Sequence, residues 1–138
     1  MTRLENDDWA ANGNHQLRGK RNVINSLYMN PDDLEAHNIH LMKKYQQISD
    51  EITEVELFNM EGANQAFIAY GTSSRIAIAA IDKLNEMGKK VGLIRLKTLW
   101  PFPYKEILEA TKSLDSVLVS ELSMGQLVQD VKGLLNNR

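Results

Sequence analysis

His37 and His40 stand three residues apart in a stretch with helical rhythm, a spacing that can set two imidazoles side by side as metal ligands. No third ligand is spaced with them, so solvated helix residues are the commoner outcome. Gly71-Thr72-Ser73-Ser74 offers other chemistry. A glycine turn followed by hydroxyls can hold an anion on backbone N–H groups at a helix start, or can simply turn the chain and cap the helix with a serine. With no Gly-x-Gly-x-x-Gly and no Gly-Lys-Ser/Thr, the phosphate role has weak support. Glu121 ends an apolar run; desolvated, its pKa would rise, which is how a general acid is made. More commonly such a carboxylate accepts bonds from loop amides, here those near Gly125. No serine has a histidine and an acid in motif context, and the Gly-x-Ser-x-Gly elbow is absent. Arg18, Lys20 and Arg21 form a basic knot able to meet a phosphate, though three charges in an arm are usually just solvated, and His15 stands in the same stretch.

These groups need a scaffold, and the composition bounds it. A chain of 138 residues that is 43% apolar and 25% charged has room for one ordinary globular core. No apolar run approaches the ~20 residues of a membrane span. Met1 to Asn12 has no apolar stretch of the signal-peptide kind, so a cytoplasmic location is expected. The absence of cysteine excludes a disulfide framework, a thiolate zinc site and a cysteine-ligated iron–sulfur cluster carried by this chain. A net charge of −2 and a pI near 5.9 favour neither nucleic acid nor a membrane as partner.

Residues 1–30, rich in Asn, Asp and Gly and without apolar rhythm, read as a linker or arm. Asn30 can cap a helix opened by Pro31, with Asp32, Asp33 and Glu35 at its positive end. Leu34, Leu41, Tyr45, Ile48 and Ile52 then recur at helical spacing, predicting an amphipathic helix from about Pro31 to Ser49 within a connecting segment, 31–52. From residue 53 to 138, short β-type runs alternate with helical ones. Strands are expected at Val55–Phe58, Ala66–Tyr70, Val91–Leu96 and Val117–Val119. One helix buries Ala77, Ala80, Ile81, Leu84 and Met87 and stops at Gly88. Another is opened by Pro103 and carries Ile107, Leu108, Thr111 and Leu114. A last one presents Leu127, Val128, Val131, Leu134 and Leu135. Right-handed crossovers place helices on both faces of a mostly parallel sheet, an α/β/α sandwich. Ligands would gather at the carboxyl ends of its strands, in the Gly71, Lys97–Pro103 and Glu121–Gln126 loops. The prolines around Trp100 and Phe102 forbid strand continuation. A stiff loop presenting two large apolar side chains reads either as a protein interface or as packing over its own core. On the interface reading both rings are partly exposed, and replacing both by alanine leaves the domain's stability nearly unchanged.

Four motifs in order resemble one family. Ala69-Tyr70-Gly71-Thr72-Ser73-Ser74-Arg75, Gly88 to Arg95, Trp100-Pro101-Phe102-Pro103, and Val119-Ser120-Glu121 with Met124-Gly125-Gln126-Leu127 together look like the α subunit of 2-oxoacid:ferredoxin oxidoreductases, the 2-oxoisovalerate and 2-oxoglutarate branches especially. The resemblance covers about Val55 to Leu135. Thr2-Arg3-Leu4-Glu5-Asn6-Asp7 is similar to the family's segment entering this region, with Arg3 and Asn6 in place of its Gly and His, and Pro31 to Ser49 to its connecting helix.

The resemblance implies a transketolase C-terminal-domain-like fold: a three-layer α/β/α sandwich with one antiparallel edge strand, Val55–Phe58, whose short length and Glu54/Glu56 charges suit an edge. It also implies an intact enzyme that oxidatively decarboxylates a 2-oxoacid on thiamine diphosphate and Mg2+, passes electrons through an iron–sulfur cluster to ferredoxin, and yields acyl-CoA from coenzyme A. On this reading the chain is a C-terminal fragment with no catalytic, cofactor or metal residues of its own. Gly71, Thr72, Ser73, Trp100, Phe102, Glu121, Gly125 and Gln126 are its ligand or interface candidates. Its partners are the N-terminal domain of the α subunit, the thiamine-binding β subunit and a ferredoxin-like subunit. Two other readings stay open: the equivalent domain of a transketolase or dehydrogenase E1 β chain, and a free-standing phosphate- or nucleotide-binding module built on the Gly71 loop.

Overall fold

In the computed structural model, Gly19 and residues 25–136 are described. The basic knot of Arg18, Lys20 and Arg21, His15, and the Thr2–Asp7 segment lie outside them. In chain order the elements are α1 (Pro31–Ile52), β1 (Val55–Phe58), β2 (Gln65–Tyr70), α2 (Gly71–Glu86), β3 (Val91–Leu96), α3 (Tyr104–Ala110), β4 (Ser116–Ser120) and α4 (Gln126–Leu135). Internal contacts divide the chain into Met1–His40 and Leu41–Arg138, a division that falls within α1.

In the first unit, Asn30 Oδ1 accepts the Asp32 amide at 2.9 Å, the expected N-cap, and Asp32 and Asp33 lie in the helix's first turn. Tyr28 stacks on the His37 ring at 4.5 Å and its hydroxyl lies 3.1 Å from Nδ1. α1 runs about a turn beyond Ser49 and buries none of its residues completely. Of the predicted stripe, Leu41 and Ile48 are half-buried, while Leu34, Tyr45 and Ile52 are exposed. Helical periodicity specifies a face available for burial; what covers that face is not encoded in the period.

The second unit is built on a four-stranded sheet in the order β1-β3-β2-β4. β2 is parallel to both neighbours, with Phe67 beside Leu93 and Leu118, and β1 runs antiparallel to β3 at the edge. The two-residue period sorts the core. Ile68, Ile94 and Leu96 face one way with Ile107, Leu127 and Val131 from α3 and α4, and Ala69, Val91 and Leu93 face the other way with Ala77 and Ile81 from α2. This is the expected α/β/α sandwich with its antiparallel edge. Each fully buried Ile or Leu contributes roughly 1.5–3 kcal/mol, so the largest, Ile68, Ile81, Leu93, Ile94 and Ile107, dominate the packing. The β1 edge carries Glu56 3.2 Å from Arg95 and Glu54 3.2 Å from Lys97. Surface pairs of this kind add only ~0–1 kcal/mol each, and their larger effect is to deny the edge to a foreign strand.

Local departures from expectation have local causes. No serine caps α2: β2 runs straight into it, Gly71 makes the turn at φ 52°, and the Ser74 hydroxyl bonds back to the Gly71 carbonyl at 2.7 Å. Met87 does not join the buried stripe of α2 but is 69% exposed. The helix ends at Glu86, where Gly88 (φ 76°) lets its amide reach Asn85 O and the Lys89 amide reach Leu84 O, a closure that turns Met87 outward. Pro103 precedes α3 rather than opening it, and α3 stops at Ala110, so Thr111 and Leu114 follow the helix, with the Thr111 hydroxyl bonded to Ile107 O.

Candidate functional site

In an open α/β sheet a crevice forms where neighbouring parallel strands send their chains to opposite faces. Here that place lies between β2 and β4, because α2 packs on one face and α4 on the other. Ala69 pairs with Ser120, so Tyr70 and Gly71 leave one strand beside Glu121 leaving the other.

A chain of hydrogen bonds crosses this crevice. Glu121 Oε2 accepts from the Ser123 hydroxyl and from the Leu127 amide at 3.1 Å, while Oε1 accepts from the Val128 amide at 3.0 Å. An ionised carboxylate can only accept, so Ser123 gives its proton to Glu121 and the Tyr70 hydroxyl, 3.2 Å away, donates to Ser123 Oγ. Leu127 and Val128 belong to the first turn of α4, whose amides have no partner within the helix. The N-cap residue is Gly125, which has no side chain to offer them; its left-handed φ of 94° turns the loop into the helix. Glu121 thus does at a distance what an Asp or Ser cap does locally.

The electrostatics follow. The Ser123 hydroxyl draws the Glu121 carboxyl below its ordinary value of 4.5, desolvation opposes this, and the Val128 and Leu127 amides add to the lowering. The general-acid reading, which needed a raised pKa, is therefore reversed: three donors outweigh the burial. The alternative, a carboxylate accepting amides near Gly125, is what the fold contains. Its charge also occupies the positive end of α4, leaving no free N-terminus there for an anion.

Gly71 and Thr72 follow β2, and Glu121, Gly125 and Gln126 follow its parallel neighbour β4, whereas Ser73 is buried within α2. A side chain at Gly71 would meet nothing within 4 Å, so the turn is open to solvent. Trp100 and Phe102 leave β3, the other neighbour of β2, and behave differently from each other. Trp100 is 62% exposed, with Tyr45 edge-on at 5.6 Å. Phe102 is half-buried against the Ile68 and Ile107 cluster and edge-on to Tyr104 at 4.9 Å, so it serves partly as core packing. A cleft of about 400 Å³ beside it is lined by Gln46, Ser49, Asp50, Tyr104 and Lys105, among others. Tyr70 and Ser123 escaped the sequence reading. Their signal was present in the hydroxyl two residues after Glu121, but the tyrosine lies 53 positions from Ser123 and reaches it only through β2–β4 pairing.

The family described as pyruvate:ferredoxin oxidoreductase core domain II matches residues 63–138. The chain is similar to the ketoisovalerate oxidoreductase subunit VorB of Methanothermobacter marburgensis, 35% identical over 124 residues, covering 90% of this chain and 35% of that protein. It is similar also to the 2-oxoglutarate synthase subunit KorA of Methanocaldococcus jannaschii, 36% identical over 92 residues, covering 67% of this chain and 24% of that protein. The chain therefore spans about a third or less of the length of these relatives. A solved 2-oxoglutarate:ferredoxin oxidoreductase from Magnetococcus marinus, with 2-oxoglutarate, coenzyme A and succinyl-CoA bound, shares the fold. Its TM-score is 0.73 at 22% identity, over 95% of this chain and 25% of that one.

Proposed function

The chain belongs to the pyruvate:ferredoxin oxidoreductase core domain II family, and on that premise we propose that it is a supporting, non-catalytic domain of a 2-oxoacid:ferredoxin oxidoreductase α subunit. It helps subunits assemble and shapes the approach to an active site built elsewhere, at which a 2-oxoacid is oxidatively decarboxylated to acyl-CoA. The carrying observation is the state of Glu121. At the place where an α/β fold keeps its reactive groups, the Glu121 carboxylate accepts the Ser123 hydroxyl and the Leu127 and Val128 amides and so serves as a helix brace. Residues 31–52 act as a connecting helix and 53–138 as the supporting domain, while most of the arm read at 1–30 lies outside the described residues. The work is cytoplasmic; among the described residues no helix is long and apolar enough to cross a membrane.

The cofactors of such an enzyme do not fit the donors of this chain. An iron–sulfur cluster needs thiolates, and the sequence has no cysteine. Mg2+ with thiamine diphosphate needs clustered oxygen ligands, and among the described residues no group of three His, Asp or Glu is placed to hold a metal. These groups, with the coenzyme A site, fall to the N-terminal part of the subunit, a thiamine-binding β subunit and a ferredoxin-like subunit. The phosphate-module alternative has less behind it, because Ser73, one of the two hydroxyls it would use beside the Gly71 turn, is buried in α2.

Isothermal calorimetry with thiamine diphosphate and Mg2+, beside a 2-oxoacid-dependent viologen-reduction assay, tests this. The chain alone should give no heat and no turnover; micromolar binding of thiamine diphosphate would refute the reading.

A further inference from the structure

The two ends of the sheet differ in character. At the amino end the loops carry Glu61, Asn64, Lys89, Lys90, Lys112 and Asp115, with Met87 exposed at the end of α2 and Leu118 exposed on β4 beside Lys89 and Ser116. At the carboxyl end Leu99 (48%), Trp100 (62%), Tyr104 (54%), Leu122 (80%) and Met124 (94%) stand in solvent. Leu122 and Met124 alternate with Ser123 in the loop that Glu121 holds. Ser123 is bonded to Glu121 and to Tyr70, and α4 is bonded to Glu121, so the backbone between them is tied on both sides. Two apolar side chains on a braced loop lose little conformational freedom on being covered.

We infer that Leu122 and Met124 are the anchors of a docking rim, continuous with the Trp100 loop, that seats against the remaining part of the same subunit. This rests on the functional reading above and adds to it the residues and the occupant. The exposed parts of the five side chains amount to on the order of 600 Å² on this side. That is at the bottom of the range for freely associating proteins and inside the range for domains joined in one chain. A tethered partner needs no more, since linkage in one polypeptide supplies an effective concentration near the millimolar level. The relatives are long enough to provide it, about two thirds of their length lying outside the matched part.

The chain has no cysteine, so single-cysteine variants report their own positions. Maleimide labelling of Leu122→Cys and Met124→Cys would be timed in the 138-residue chain alone. The comparison is a chimaera in which the chain replaces the matching part of the Methanothermobacter marburgensis subunit. Labelling should slow about tenfold or more in the chimaera, as a mostly closed tethered contact requires, while Lys89→Cys at the amino end changes little. Adding the separately produced remainder of that subunit in excess to the chain gives the same comparison if the chimaera does not fold. Unchanged rates at Leu122→Cys and Met124→Cys overturn the inference. So does slowing that appears only when the thiamine-binding subunit is added, because the occupant is then another chain. Failure of the wider functional reading would show separately, as thiamine diphosphate binding to the chain alone.

Discussion

Replacing Trp100 and Phe102 by alanine, one at a time, separates surface from core within one loop. A fully buried Phe or Trp reduced to alanine costs ~3–5 kcal/mol. Trp100 keeps 62% of its surface in water, so about a third of that loss applies, and its edge contact with Tyr45 belongs to the same small sum. Trp100→Ala should cost about 1 kcal/mol. Phe102 is half-buried against Ile68, Ile107 and Leu127 and touches Tyr104 edge-on, so Phe102→Ala should cost about 2–3 kcal/mol. With a urea slope of ~2 kcal/mol/M, the unfolding midpoint moves by roughly 0.5 M for the first and 1–1.5 M for the second. Equilibrium urea denaturation followed by far-UV circular dichroism reads both. A Trp100 variant that loses as much as the Phe102 variant would refute the division, since it would mean that the tryptophan is the core member. The expectation that both rings can be removed with little loss holds on these grounds for Trp100 alone.

Glu121 has its pKa lowered by folding, so the stability it supplies is present above its unfolded pKa, near 4.5, and is lost as pH falls through the lower folded value. Thermal melts of the wild type should therefore drop more steeply below about pH 4.5 than those of Glu121→Gln, and parallel curves would remove Glu121 as the brace. A methyl group at Gly92 would press on the thioether of the half-buried Met60, a flexible side chain that can swing aside, so Gly92→Ala should cost about 1 kcal/mol or less and Gly92→Ala with Met60→Ala less than the sum of the two, as a double-mutant cycle in urea would record. Two glycines should respond in opposite directions. Gly88→Ala forces an alanine to φ 76° and should cost about 1 kcal/mol, whereas Gly133→Ala, inside α4 with open space around it, should gain about 0.5–1 kcal/mol. Calorimetric melting of the pair settles the signs.

Much of the sheet was legible because its signals are local. Ala66–Tyr70 is apolar throughout, as a strand covered on both faces must be, Val91–Leu96 departs from that pattern at Arg95, and Gly88 ends α2 where a left-handed residue is needed. The short β1, preceded by Glu54 and carrying Glu56, reads as an edge because charges there cost least and protect most. α1 was less legible: its spacing announces an amphipathic helix, but none of its residues is buried.

The chain order and the loop positions of Trp100 and Glu121 thus follow from the sequence alone, through periodicity and proline, whereas Gly71, expected in a loop, is the first residue of α2. What those residues do was decided by pairing across the fold. The groups that lower the Glu121 pKa, the Ser123 hydroxyl and the Leu127 and Val128 amides, are close in sequence, but only the folded path of the loop into α4 turns them onto the carboxylate against its desolvation. Trp100 and Phe102 have the same apparent chemistry in sequence and opposite surroundings in space, because only one of them turns toward the Ile68 cluster. Secondary structure is written in short-range patterns, but desolvation and hydrogen bonding depend on which distant groups fill the space around a side chain.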